Sequence, residues 1–362
     1  MTDSRNICVY ISVPSGLGRN NSKPRTMKTL IILTALFIGL TSSAPTTKDA
    51  PFIVTSKFFD KSLVIYKGEY DIVDIVVPLN DINFEDGTED DEDGGINLFF
   101  TEADIKDDGK KDFKGIYYLN KGNATKILDN GVVTAVPCQN NKNAYFGAKD
   151  GLYSFDAEKV EAKKYGPITD SIIGIGVENG TDTIYILKEN KELFKVTENG
   201  TKTAKVEEAK DVVEFVVDYE NNLYFYDESK TLFVVNKEGT KRIENLPVPK
   251  SYMKLIRPLF FNENSVPILI DEDVYTVYAN GTVEPEDIKV RVRPTAFGVE
   301  PALLQYYAHD KKIYEYNMLV LVFSGLLEEL KDFLSDITEN IQNVATQSRS
   351  ELGSWFGTEN TA

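Results

Sequence analysis

The 362-residue chain holds one histidine, His309, and two cysteines, Cys8 and Cys138, so the side chains that build nucleophilic triads or multi-histidine metal cages are not gathered anywhere along it. His309 sits in Tyr307-Ala308-His309-Asp310-Lys311, between two strand-like segments, where a solvent-facing turn residue is expected. Cys138 closes the run Val132 to Cys138 and reads as a small buried hydrophobe. Carboxylates crowd the stretch from Asn80 to Asn97, with Glu85, Asp86, Glu89, Asp90, Asp91, Glu92 and Asp93. Neither this loop nor Asp104-Ile105-Lys106-Asp107-Asp108-Gly109 has the ligand spacing of a calcium hand, and the second puts a lysine where an oxygen ligand is required. A solvated acidic loop is the expectation, with no metal and no cofactor.

Binding chemistry is better represented than catalysis. Phe99, Phe100, Phe215, Phe260, Phe261, Tyr306 and Tyr307 come from several strand-like segments expected near the inside of the fold, and Arg257, Arg291 and Arg293 accompany them. Aromatic faces with a few guanidinium groups can hold a flat, conjugated, anionic molecule by stacking and charge pairing. The residues assigned to such a site are Phe100, Phe215, Phe260, Phe261, Arg257, Tyr306 and Tyr307, with an arginine neutralising a carboxylate or sulfate. Any one of these rings is also an ordinary packing residue; only their collective placement suggests a ligand.

What must position them is a repeat. One phrase, an apolar-aromatic strand after a charged turn, recurs around Tyr117, Tyr153, Phe194, Phe233, Tyr275 and Tyr314, in steps of 36, 41, 39, 42 and 39 residues. A second strand precedes it in most copies (Asn143 to Phe146, Thr183 to Ile186, Asn222 to Phe225, Val266 to Leu269), across a tight polar turn such as Glu189-Asn190-Lys191. Further upstream, Val132 to Cys138, Ile172 to Val177, Val212 to Asp218 and Leu255 to Phe261 supply a first strand, and turns such as Lys237-Glu238-Gly239-Thr240 lead to a short polar fourth. Four-stranded antiparallel units at about 40 residues predict an all-β, six-bladed β-propeller over residues 44–320. The segment Phe52 to Val77, with Lys61 to Tyr66, either closes the ring on the last blade, the preferred reading, or begins a seventh. A two-sheet sandwich has no such period.

The flanks read differently. Residues 1–26 have no strand or helix period and suggest an over-extended gene model; Gly16-Leu17-Gly18 lacks the strand, helix and third glycine of a nucleotide site. Residues 27–43 resemble a secretory signal: Lys28, the eleven-residue run Leu30 to Leu40, then Thr41, Ser42, Ser43 and Ala44. The run is short of the roughly 20 residues that span a bilayer. Losing residues 1–43 removes Arg5, Arg19, Lys23, Arg25, Lys28 and Asp3, taking the net charge from −17 to −21, which opposes binding to nucleic acid or anionic membranes. It also leaves Cys138 without an intrachain partner. Sequons at Asn123, Asn179, Asn199 and Asn280 suit a secreted glycoprotein, three of them being Asn-Gly-Thr, which equally marks a hairpin turn. Past residue 320 an amphipathic C-terminal helix is expected over 321–362, with Leu326, Leu327, Leu330, Phe333, Leu334, Ile337, Ile341 and Val344 on one face.

The hairpins Asn143-Ala144-Tyr145-Phe146-Gly147-Ala148-Lys149-Asp150-Gly151-Leu152-Tyr153-Ser154-Phe155 and Asp218-Tyr219-Glu220-Asn221-Asn222-Leu223-Tyr224-Phe225-Tyr226-Asp227, with the secretory start, give a chain that resembles the ommochrome-binding proteins of lepidopteran haemolymph from about Leu63 to Tyr316. The resemblance implies a secreted propeller that carries a tryptophan-derived phenoxazinone pigment or its precursor without chemistry. Two alternatives stand beside it: a calcium-dependent lactonase-like hydrolase, whose dispersed channel ligands would leave no local motif, and a propeller for protein–protein interaction.

Overall fold

The computed structural model describes residues 51–78, 97–120, 122–137, 143–258, 264–300 and 304–317. They form six sheets, each built on four antiparallel strands, which follow in chain order in five of the six. Blade 1 contains β3 (Asp71–Val76), β4 (Asn97–Ile105), β5 (Lys111–Asn120) and β6 (Asn123–Leu128); blade 2 contains β7 (Gly131–Ala135), β8 (Tyr145–Ala148), β9 (Gly151–Asp156) and β10 (Glu161–Lys164). Blade 3 runs from β11 (Ile172–Val177) through β12 (Ile184–Lys188) and β13 (Leu193–Thr197) to β14 (Lys202–Lys205). Blade 4 comprises β15 (Val212–Val217), β16 (Leu223–Asp227), β17 (Leu232–Asn236) and β18 (Gly239–Arg242). Blade 5 comprises β19 (Met253–Leu255), β20 (Ser265–Ile270), β21 (Asp273–Tyr278) and β22 (Val283–Val290); blade 6 takes β23 (Ala296–Glu300), β24 (Leu304–His309) and β25 (Lys312–Asn317).

The recurring aromatic occupies one place throughout. On the third strand of each blade it faces a second-strand residue: Tyr117 opposite Phe100, Tyr153 opposite Phe146, Phe194 opposite Ile186, Phe233 opposite Phe225, Tyr275 opposite Ile268 and Tyr314 opposite Tyr307. Phe100 and Tyr117 stack with centroids 5.2 Å apart, and Phe225 and Phe233 do the same at 5.2 Å. The period in the sequence is therefore a cross-strand pair repeated once per blade.

Among the described residues blade 6 has three consecutive strands, and β2 (Val64–Lys67) supplies the fourth by pairing antiparallel with β25. This is the closure preferred from the sequence, and it leaves no seventh blade. Blade 5 departs from the four-strand expectation, because β1 (Phe52–Val54) adds a fifth, parallel strand beside β22. The first strand of blade 5 begins earlier than predicted, at Met253–Leu255, and residues 259–263 of the expected run lie outside the described residues.

Six hydrophobic clusters hold the wheel, one at each seam between neighbouring blades. Between blades 4 and 5, for example, Val216, Tyr224, Leu232 and Val234 meet Met253, Leu255, Val266 and Ile268. Each fully buried Ile, Leu or Phe contributes about 1.5–3 kcal/mol by leaving water, and radial repetition lets every blade use both faces. Among the described residues the only helical turns are two 3-10 turns, Ser56–Phe58 and Lys61–Leu63. The leader-like segment, most of the acidic loop, Cys138 and the expected helix at 321–362 lie outside the described residues.

Candidate functional site: the central channel

The inner strands of blades 1 to 4 carry the same irregularity. Pairing with the second strand skips one residue between Ile72 and Asp74, Gly131 and Val133, Ile172 and Gly174, and Val212 and Glu214. Each is a β-bulge whose extra residue, Val73, Val132, Ile173 or Val213, is β-branched. All four, together with the residues that follow them (Asp74, Val133, Gly174 and Glu214), line a cavity of about 390 Å³ at the end of the channel where the inner strands begin. Ile173 and Val213 are accordingly among the most accessible large apolar side chains of the described residues, at 37% and 40%. A bulge re-aims side chains that regular pairing would send into the seams, and here it gives the cavity an apolar wall.

Aromatic rings complete that wall. Phe215, Phe297, Tyr226, Tyr252, Tyr307 and Phe113 all border the cavity. Phe215 lies against blade 3 at Gly174 and Gly176, where an added Cβ would come within 3.1 Å and 3.0 Å of its ring. Tyr252 is fixed from behind, because Asp271 accepts the backbone N–H groups of Lys250 (2.9 Å), Ser251 (2.9 Å) and Tyr252 (3.2 Å), and the Arg293 guanidinium lies 4.1 Å from the Tyr252 ring centroid. Those backbone donors hold the Asp271 carboxyl well below the usual carboxylate range.

Five charged side chains border the same cavity: Asp74, Glu214, Lys111, Lys254 and Arg257. Asp74 Oδ2 accepts from Thr134 N (2.7 Å) and Thr134 Oγ1 (2.8 Å) in the next blade, while Asp74 Oδ1 is 3.5 Å from Arg257. Arg257 also donates to the Thr134 carbonyl at 2.6 Å. It thus reaches from blade 5 across the channel, at the level where the wide cavity adjoins a second one of about 140 Å³. Glu214 pairs with Lys254 Nζ and accepts the Leu255 N–H at 3.0 Å. Burial works against the charge on Lys254, but the neighbouring Glu214 outweighs it and the ammonium pKa is raised. Lys111 behaves the other way: burial first, then repulsion from Lys254, lowers its pKa. Water reaches Lys111, yet protein surrounds it because it sits in a concave mouth.

Lys111 and Phe113 arrive there on an unusually long hairpin. Strands β4 and β5 continue pairing through Asp104–Asp112 and Ile105–Lys111, past Asp71–Ala103, where β3 begins. The arm therefore projects beyond its own inner strand, and two of its residues border the cavity.

The opposite end of the channel is narrower and lined mostly by apolar side chains, among them Val77, Val136, Val177, Val217 and Val299, with Asn179 and Asp218 beside them. Asp218 accepts from the Glu220 and Asn222 N–H groups, Asn222 Nδ2 and Tyr224 Oη, at 2.8–3.1 Å, and burial raises its pKa. Asn179 Nδ2 donates to Tyr219 O at 3.1 Å, and Asn221 Nδ2 donates to Asn179 O at 3.0 Å, tying blade 3 to blade 4.

Of the residues assigned from sequence, Phe215, Arg257 and Tyr307 border the wide cavity. Phe100 and Tyr306 do not; they lie on second strands and are wholly buried in the seam between blades 6 and 1. Two adjacent aromatics on a strand face opposite ways, and these two face a blade. Phe260 and Phe261 lie outside the described residues. Arg291 faces Glu272 at 3.9 Å on the surface, and Arg293 supports Tyr252 without bordering the cavity. His309 ends β24, where its ring stacks on Phe59 at 4.2 Å; the turn proper is Asp310-Lys311. Reading by aromatic content passed over Lys111, Lys254, Asp74 and Glu214, although a β-branched pair or β-branched residue followed by an acid, Val73-Asp74 and Val213-Glu214, stands at the same point of two repeats. Among the described residues no three His, Cys, Asp or Glu side chains converge to hold a metal.

No family model and no curated protein matches this chain. Solved structures similar in fold include virginiamycin B lyase from Staphylococcus aureus (14% identity, TM-score 0.45, over 68% of this chain and 84% of that one). Another is a chain of the mitotic checkpoint complex (9% identity, TM-score 0.47, over 77% and 99%). A third is PorZ, a surface component of the type-IX secretion system of Porphyromonas gingivalis (13% identity, TM-score 0.42), of which this chain spans 29% while 61% of its own length is covered. Likenesses at this level carry no argument about this chain; the six-bladed β-propeller is shown by its own sheet topology.

Proposed function

We propose that the protein is a non-enzymatic extracellular carrier that holds a flat, aromatic, anionic small molecule in the wide half of its central channel. Ommochrome-type pigments and their tryptophan-derived precursors are the class favoured by the sequence resemblance. The observation that carries the reading is the cavity of about 390 Å³, walled by Phe215, Phe297, Tyr252 and the bulge residues, with cationic groups at its border. That volume lies in the range of about 300–1,000 Å³ typical of small-molecule sites, where apolar walls give affinity and a few polar groups give orientation. A calcium-dependent hydrolase would need several channel carboxylates free to converge, whereas Asp74 and Glu214 are each engaged by a cation and a backbone N–H.

Equilibrium dialysis of the purified protein against xanthommatin, read by visible absorbance, tests this directly. One equivalent bound, insensitive to chelators and lost in a channel-filling Val213→Trp variant, is the expected result. Protein that stays colourless at saturating pigment, or that hydrolyses lactones in a calcium-dependent way, would refute the carrier reading.

A further inference from the structure

We infer that Lys111, brought over the channel by the β4–β5 arm, is the anchor for the ligand's acidic group, and that Arg257 is not. This rests on the carrier reading and specifies which part of the ligand meets which residue.

The assignment follows from how the five charges at the cavity are shared. Arg257 is spent on Asp74 and the Thr134 carbonyl, and Lys254 on Glu214. Asp74 and Glu214 in turn accept backbone donors from Thr134 and Leu255 as well as their cations. The Lys111 ammonium makes no hydrogen bond or ion pair among the described residues, and the carboxylates it feels, Asp74 and Glu214, are those committed elsewhere. Three cations against two anions leave one positive charge over, on a chain whose net charge is −17. An excess cation in a concave, mostly apolar cavity favours an anion there, and strongly so because water competes less well than on an open surface.

The arm supplies the second observation. Each second- and third-strand pair in the other blades is 4–6 residues long, but β4 and β5 have 9 and 10. The extra length is what carries Lys111 and Phe113 to the cavity. One offers an ammonium and the other a ring, two positions apart on the same arm, while Tyr252 and Phe297 border the cavity from blades 5 and 6. A planar ring system between these walls would present its carboxylate or sulfonate to Lys111 at the mouth. The ligand class is thus an aromatic acid whose charge sits at one edge of the ring system.

Two fluorescent probes with the same rings separate charge from stacking: 1-anilinonaphthalene-8-sulfonate and the neutral N-phenyl-1-naphthylamine. Both are titrated into wild type, Lys111→Gln, Lys111→Arg, Val213→Trp and, as a surface-charge control, Lys230→Gln. We expect Lys111→Gln to weaken the sulfonate by about ten- to a hundredfold, the range of a lost charge-assisted contact. The neutral probe should bind unchanged, which also reports that the variant is folded. Lys111→Arg should recover most of the affinity, Lys230→Gln should match wild type, and Val213→Trp should block both probes. Equal loss of both probes in Lys111→Gln, no loss of the sulfonate, or a loss equal to that of Lys230→Gln would overturn the inference while leaving the carrier reading standing. Failure of either probe to bind, or binding undisturbed by Val213→Trp, would overturn both.

Discussion

Asp74 and Glu214 occupy the same register position, the first paired residue after the inner-strand bulge, in blades 1 and 4 of a six-bladed ring. They therefore face one another across the channel. Each uses one carboxylate oxygen on a backbone N–H of the following blade and the other on a cation from blade 5, Lys254 on β19 or Arg257 just after it. The channel is in effect braced from opposite sides through a single pair of acids.

Replacing Asp74 by Ala leaves the Thr134 N–H and hydroxyl without their acceptor and Arg257 without its counter-charge. A loss of about 1–3 kcal/mol is expected, read as a lower urea midpoint at unchanged m-value. Arg257 and Asp74 are only partly sheltered, so most of that loss comes from the Thr134 donors and not from the ion pair. An Asp74→Ala protein as stable as wild type would show that the brace is dispensable.

Gly298 stands where β23 meets blade 1, and a Cβ there would lie 2.6 Å from Ile75 Cγ2 and 3.1 Å from the Ile75 carbonyl. Since backbone as well as side chain must move, Gly298→Ala should cost about 1–3 kcal/mol by overpacking the closing seam. Thermal unfolding of the variant, a few degrees lower than wild type, checks this.

Asp271 is held ionised by the backbone donors of residues 250–252, so its folded pKa lies below its unfolded value near 4. The stability it contributes is complete above about pH 4 and disappears as pH falls through the depressed folded value. Asp271→Asn should therefore unfold at a lower temperature than wild type at pH 7, and the gap between the two should narrow toward pH 2. A gap independent of pH would refute the linkage.

Among the four sequons, Asn199 and Asn280 lie exposed in turns and Asn123 is exposed at the start of β6. Asn179 differs, its Nδ2 atom being committed to Tyr219 O and its carbonyl to Asn221. Expression through a secretory pathway should give glycans on the first three and none on Asn179, as peptide mass mapping after enzymatic deglycosylation will show. An occupied Asn179 would mean that the seam between blades 3 and 4 opens before the chain is glycosylated.

The wheel was legible because its period is carried by large side chains in a fixed cross-strand pair, from Tyr117 opposite Phe100 to Tyr314 opposite Tyr307. Closure by Lys61 to Tyr66 was legible too, since no full four-strand unit fits in the segment from Phe52 to Val77. The channel was far less so. Phe100 and Tyr306 look like ligand-facing aromatics, yet strand alternation sends them into a seam, and a one-residue bulge decides which neighbour faces the axis. Lys111 was hidden for another reason: its position depends on how far a hairpin overhangs, which the lysine's own neighbours do not encode.

The strap formed by residues 52–67 touches two blades, β1 beside β22 and β2 beside β25. In a chain made from its N-terminus, these residues are synthesised early, yet their partners come more than two hundred positions later. Until then the strap has no place to bind, and blades 5 and 6 each present an unpaired strand edge open to other chains. Completion of the ring is thus the longest-range contact of the fold and the step expected to be slowest. Crowding or a shortage of chaperones would act first on that unfinished edge, well before any blade is itself unstable.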